Sequence, residues 1–153
     1  MDPAAVVERL GAGKVLLKPL YPGVSDDGEL GRQAIRDLVF TAYARRIAYL
    51  HSQRAPTWRY YFSHVQAGLR PQPPGVGHGA EIAFVMGTGD ACNCLGIPFS
   101  NGDRAVSRAV GDYWFAFART GAPTVAGAPA WLKDAARRAQ VMEFSATPTV
   151  RPN

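Results

Sequence analysis

The chain has no run of about 18 consecutive apolar residues, so no helical membrane span is expected. Met1-Asp2-Pro3-Ala4 lacks the basic start and apolar stretch of a secretory signal. Cysteine is nearly absent. Cys92 and Cys94 are the only two, and a single intervening residue places them poorly for an ordinary disulfide. A zinc site would need a second ligand pair at suitable spacing, and none is near, so two loop thiols and no metal are expected. Lysine is also scarce, at three of the 17 basic residues. The net charge of +5 is spread along the chain, with Arg45-Arg46 and Arg137-Arg138 the only adjacent pairs. A nucleic-acid surface usually shows a stripe or cluster, so a small basic module binding nucleic acid or anions is the weakest reading.

Apolar residues make up 47% of the sequence and aromatics 10%, which argues for a packed core rather than a disordered tail. A length of 153 residues fits one domain able to bury roughly two-thirds of its unfolded surface. A short amphipathic start (Val6, Val7, Leu10) precedes the run from Lys14 to Pro22 and a turn at Gly23 to Gly28. From Glu29 to about His51 the residues Ile35, Leu38, Val39, Ala42, Tyr43, Ile47 and Leu50 recur at helical spacing. Thr57 to Val65 is rich in aromatic and β-branched residues and reads as a strand interior to a sheet.

Proline and glycine between Ala67 and Gly77 predict a loop, and Gly87 to Gly102 predicts another. Between them, Glu81 to Met86 fits either a short helix or an extended segment. Asp103 is a candidate N-cap for a helix with Val106, Ala109, Val110, Tyr113, Trp114 and Phe117 on one face, stopped at Gly121 and Pro123. Gln140 to Phe144 fits a short edge strand. This order suits the end of a mostly parallel α/β sheet.

His78 stands between Gly77 and Gly79, where missing side-chain bulk lets another element or a substrate approach the imidazole. A loop after a parallel strand is where α/β sheets place functional groups. The alternative from the residues alone is a loop histidine satisfied by local hydrogen bonds. Glu81 is either exposed or in a helix's first turn, where the dipole favours a carboxylate. His51 ends a helix and His64 lies in the strand, and both read as structural.

The segment Gly77-His-Gly-Ala-Glu-Ile-Ala-Phe-Val-Met-Gly87, followed by Asp103 to Pro123, resembles the C-terminal portion of type-B carboxylesterases, the cholinesterase-like branch of the α/β-hydrolases. Tyr21-Pro22, Asp37 to Phe40 with Ala44-Arg45-Arg46, Tyr60 to Phe62, Trp131 and Met142 to Phe144 fall in the family's order, so the likeness covers nearly all of residues 1–153. Tyr43 stands where a proline is usual, Leu132 replaces the proline after the tryptophan, and the loop at Asp90 to Pro98 departs from the pattern. These departures bear on substrate preference.

The resemblance implies an α/β-hydrolase fold, incomplete in this chain, with His78 as the catalytic histidine. It implies a buried Glu81 that, with Gly77 and Gly79, supports the histidine loop. It calls for no cofactor. The nucleophile of this fold lies in a Gly-x-Ser-x-Gly elbow, with chain order serine, acid, histidine. None of the six serines fits; Ser25 comes nearest, in Gly23-Val-Ser-Asp-Asp-Gly28, where the second glycine is one place too far. Neither Asp26 nor Asp27 matches the position of the triad acid. Only 77 residues precede His78, too few for the nucleophile half of the sheet. The expectation is therefore a segment of a carboxylic ester hydrolase, inactive alone. Its partners would be the N-terminal half of the domain and a small-molecule carboxylic ester. The alternative is a non-catalytic esterase-like domain serving in binding or adhesion.

Overall fold

The computed structural model describes residues 2–70, 75–92, 96–134 and 140–152, and of Cys92 the backbone alone. Two compact units divide the chain at Gln53–Arg54.

In the first unit, helix α1 (Pro3–Arg9) starts where Asp2 accepts from the amide of Ala4 at 3.0 Å, with proline at the first helical position. A short helix α2 (Lys14–Leu17) follows. Helix α3 (Asp27–Arg36) is capped by Asp26, which accepts from the Glu29 amide at 2.7 Å. α1 and α3 cross at Gly31, where an added Cβ would lie 2.1 Å from the Pro3 carbonyl oxygen. Only glycine permits that approach, and it buries Val7 and Leu30. A π-helical turn, Asp37–Thr41, joins α3 to helix α4 (Ala42–Ser52), so the expected helix forms with a widened middle. Asp37 accepts from Arg36 Nε and Thr41 Oγ1 at this turn, both at 2.9 Å. Its burial opposes ionisation, but these bonds and one from Tyr21 outweigh it and hold the carboxyl below its ordinary range. Most of the apolar stripe read from the sequence is exposed, including Leu38, Val39, Tyr43, Ile47 and Leu50.

The second unit is built on a three-stranded sheet in the order β1 (Tyr60–Phe62), β2 (Gln140–Phe144), β3 (Thr149–Pro152). β1 runs parallel to β2 with Phe62 opposite Phe144, and β2 is antiparallel to β3 with Met142 opposite Val150. Two sequence expectations are corrected here. Among the described residues, the strand from 57 to 65 shortens to three ladder residues at one edge of this sheet. Its exit is held by the Ser63 and His64 amides, which donate together to the Phe144 carbonyl at 2.9 and 3.1 Å, and its entry is bonded partly outside the sheet. The Thr57 carbonyl accepts from the Asp134 amide at 2.7 Å, and the Arg59 carbonyl accepts from Trp131 Nε1 at 2.9 Å. Residues 140–144 form the central strand, since the unforeseen β3 covers their other side. Pro152 is tolerated in β3 because an edge strand has a side with no ladder bonds to lose.

Helix α5 (Ile82–Val85) resolves the ambiguous segment after Glu81, and helix α6 (Gly89–Cys92) lies in what reads as loop. Helix α7 (Asn101–Thr120) packs Val106, Val110 and Tyr113 onto Met142 and Phe144, with Phe84 and Phe99 completing the core. Phe117, expected on that face, is half exposed. The N-cap is Ser100, not Asp103; Asp103 is the third helical residue and closes a capping box by accepting from the Ser100 amide. Gly121, at φ 75°, ends the helix in the left-handed conformation that favours glycine. Cys94 and the Cys92 side chain lie outside the described residues, as do prolines 71, 73 and 74 and the Arg137-Arg138 pair.

Candidate active site

The backbone leaves β1 into a segment whose polar groups converge on one buried side chain. His64, 5% exposed, brings Nε2 to 2.7 Å from Asp103 Oδ1, and Asp103 itself is fully buried. Oδ1 also accepts from the Ala67 amide at 3.1 Å, while Oδ2 accepts from the Ser100 amide and hydroxyl at 2.8 and 2.7 Å. Burial alone would raise the Asp103 pKa, yet the bonds from Ser100, His64 and Ala67 outweigh it and hold the carboxyl below its ordinary range. An ionised carboxylate only accepts, so His64 Nε2 carries the hydrogen.

His64 falls just beyond the ladder residues of β1 rather than within the strand, with its ring tied to Asp103. Its partner, 39 residues away, was hidden from sequence reasoning. The Ser-x-x-Asp spacing of a capping box at Ser100 and Asp103 was the available signal for half of this cluster.

His78 lies on a turn in which the Ala80 amide bonds to the Gly77 carbonyl at 3.2 Å and the Ile82 amide to Gly79 at 3.1 Å. Its ring is on an exposed residue that lines a cavity of about 550 Å3. The residues leaving β1, His64 to Gln66, line the same cavity, together with Leu69, Ile82, Phe84 and Phe99. The two glycines differ in kind. A Cβ at Gly77 would meet nothing within 4 Å among the described residues. Gly79 is required by its backbone, at φ 79°.

Glu81 is half-buried at the N-cap of α5, where its side chain makes no capping hydrogen bond. It lies near enough to Tyr60 to add to the effect of burial in raising that phenol's pKa. Ser107 reaches from α7 to the Phe84 carbonyl at 2.8 Å.

Three further serine hydroxyls are bonded: Ser52 donates to the Tyr49 carbonyl, Ser145 to the Thr147 carbonyl, and Ser63 to the Glu143 carboxylate on β2. Among the described residues, no group of three His, Cys, Asp or Glu side chains could hold a metal ion. No described helix is long and apolar enough to cross a membrane.

A parallel pair of strands with a long helix packed against the sheet fits part of an α/β-hydrolase fold. The solved structure of PNB esterase superposes on 88% of this chain with a TM-score of 0.72 at 24% identity, and the match takes up 27% of that chain. The sequence profile of the carboxylesterase family matches residues 28–153, and the chain belongs to that family. Human cocaine esterase is 32% identical over 123 residues, which is 76% of this chain and 22% of that protein. Human neuroligin-2 is 33% identical over 106 residues, 64% of this chain and 13% of that protein. The chain therefore spans about a fifth or less of the length of these curated relatives.

Proposed function

We propose that this chain is the C-terminal segment of a serine carboxylic ester hydrolase and supplies its proton-shuttling imidazole, His78. The observation that carries the reading is the placement of His78, beside a glycine in the left-handed conformation, on the wall of a cavity reached directly from the end of β1. In the complete enzyme His78 would take the proton of a serine hydroxyl as it attacks the ester carbonyl. It would then return that proton to the leaving alcohol, and water would deacylate the enzyme through the same base. Serine, oxyanion hole and acid come from the N-terminal half of the domain, and the substrate is a small-molecule carboxylic ester.

The chain alone should show no hydrolysis of a short-chain aryl ester. Joined to an upstream half carrying a Gly-x-Ser-x-Gly elbow, it should turn the ester over, with His78→Ala costing roughly ten-thousand-fold or more in kcat. Rapid hydrolysis by the 153-residue chain alone, lost in His78→Ala, would refute the reading.

The match to neuroligin-2 favours a second reading, an esterase-like domain without a working triad that serves in binding. The coding sequence upstream separates the two: an intact elbow supports the enzyme, and a replaced serine supports the binder.

A further inference from the structure

Two side chains one turn apart on α7 grip both sides of the His78 turn. Asp103 holds the segment that enters it, through His64 and the Ala67 amide at 2.7 and 3.1 Å. Ser107 holds the segment that leaves it, donating to the Phe84 carbonyl at 2.8 Å within the core. The two held segments also touch each other, with the His64 and Phe84 rings edge to face at 5.2 Å between centroids. Phe84 in turn lies 4.4 Å from Phe99, centroid to centroid, on the wall of the shared cavity.

We propose that Asp103 and Ser107 are positioning residues: the first turns of α7 clamp residues 64–67 against α5, and the resulting platform sets where the turn at 75–81 carries His78. The functional meaning rests on His78 being the proton shuttle. The clamp itself stands on the buried bonds of Asp103 and Ser107, the Phe84 carbonyl accepting from the Ser107 hydroxyl at 2.8 Å and more weakly from the Gly87 amide at 3.3 Å. Without the Ser107 hydroxyl, the Phe84 carbonyl loses its buried donor to α7, and opening α5 becomes easier.

The test is amide hydrogen exchange and imidazole NMR on the full chain. In Ser107→Ala, the Ala80 and Ile82 amides, both bonded within the turn, should exchange about tenfold faster, and the His78 ring Cε1–H signal should broaden or split. Asp103→Asn should do the same. Val141→Ala, a buried change on β2 outside the clamp, should lower global stability and leave the His78 signal and those two amides as they were. Unchanged exchange in Ser107→Ala, or an equal rise in Val141→Ala, would overturn the clamp. Neither readout needs turnover. An intact clamp response with a catalytically silent His78→Ala in the joined enzyme would sink the shuttle reading alone.

Discussion

Asp103 has two acceptor oxygens and four donors aimed at them: the His64 ring, the Ala67 amide, and the Ser100 amide and hydroxyl. Asparagine has nearly the same shape but turns one oxygen into a donor, which would then face donors. Asp103→Asn should therefore cost about 1–3 kcal/mol of stability at neutral pH, read from the midpoint of chemical unfolding. The acid side follows from the lowered pKa. A carboxyl depressed in the folded state contributes stability above its ordinary range, near pH 4, and that contribution is lost as pH falls through the folded value. Thermal melts of the parent should fall across that acid window, and the Asp103→Asn variant should show a shallower fall.

Helix α7 displays the most legible stretch of the sequence and the manner in which legibility fails. Its apolar period, Gly121 and Pro123 fix its face and its end, and those features are local. Gly121→Ala should cost about 1 kcal/mol in the same unfolding measurement, because a Cβ is strained at φ 75° even with open space around it. The start is half legible: the Ser-x-x-Asp spacing marks the capping box of Ser100 and Asp103, whereas the tertiary partners of Asp103, His64 and Ala67, leave no local trace. Strands depend on partners even more. Thr149 to Pro152 carries little β pattern of its own, so β3 could not be read, and without it β2 reads as an edge. The site divides in the same way: His78 and its glycines stand out in sequence, whereas Ser107 is an ordinary helix residue until its hydroxyl is seen to reach Phe84.

At the scale of the whole molecule, the described residues expose many large apolar side chains. Leu38, Tyr43 and Ile47 are each exposed by about two-thirds on the helical segment of the first unit. In the second, Phe115 is 68% exposed, and among the described residues β1 pairs with β2 alone. Contiguous apolar surface and a free strand edge both promote association. The purified chain should self-associate at micromolar concentration in size-exclusion chromatography, and joining it to the N-terminal half should suppress this. A monomer with a sharp, cooperative melt would contradict the expectation.

The bond from the Trp131 indole to the Arg59 backbone has a practical corollary. Trp58, Trp114 and Trp131 are the three tryptophans of the chain, and all belong to the unit beginning at Arg54. Tryptophan emission, excited selectively, consequently originates in the second unit alone, whereas residues 1–53 carry only Tyr21, Tyr43 and Tyr49 as fluorophores and report chiefly through the far-ultraviolet dichroism of their helices. Recording both signals during one denaturation tells whether the halves of this polypeptide come apart together or in turn.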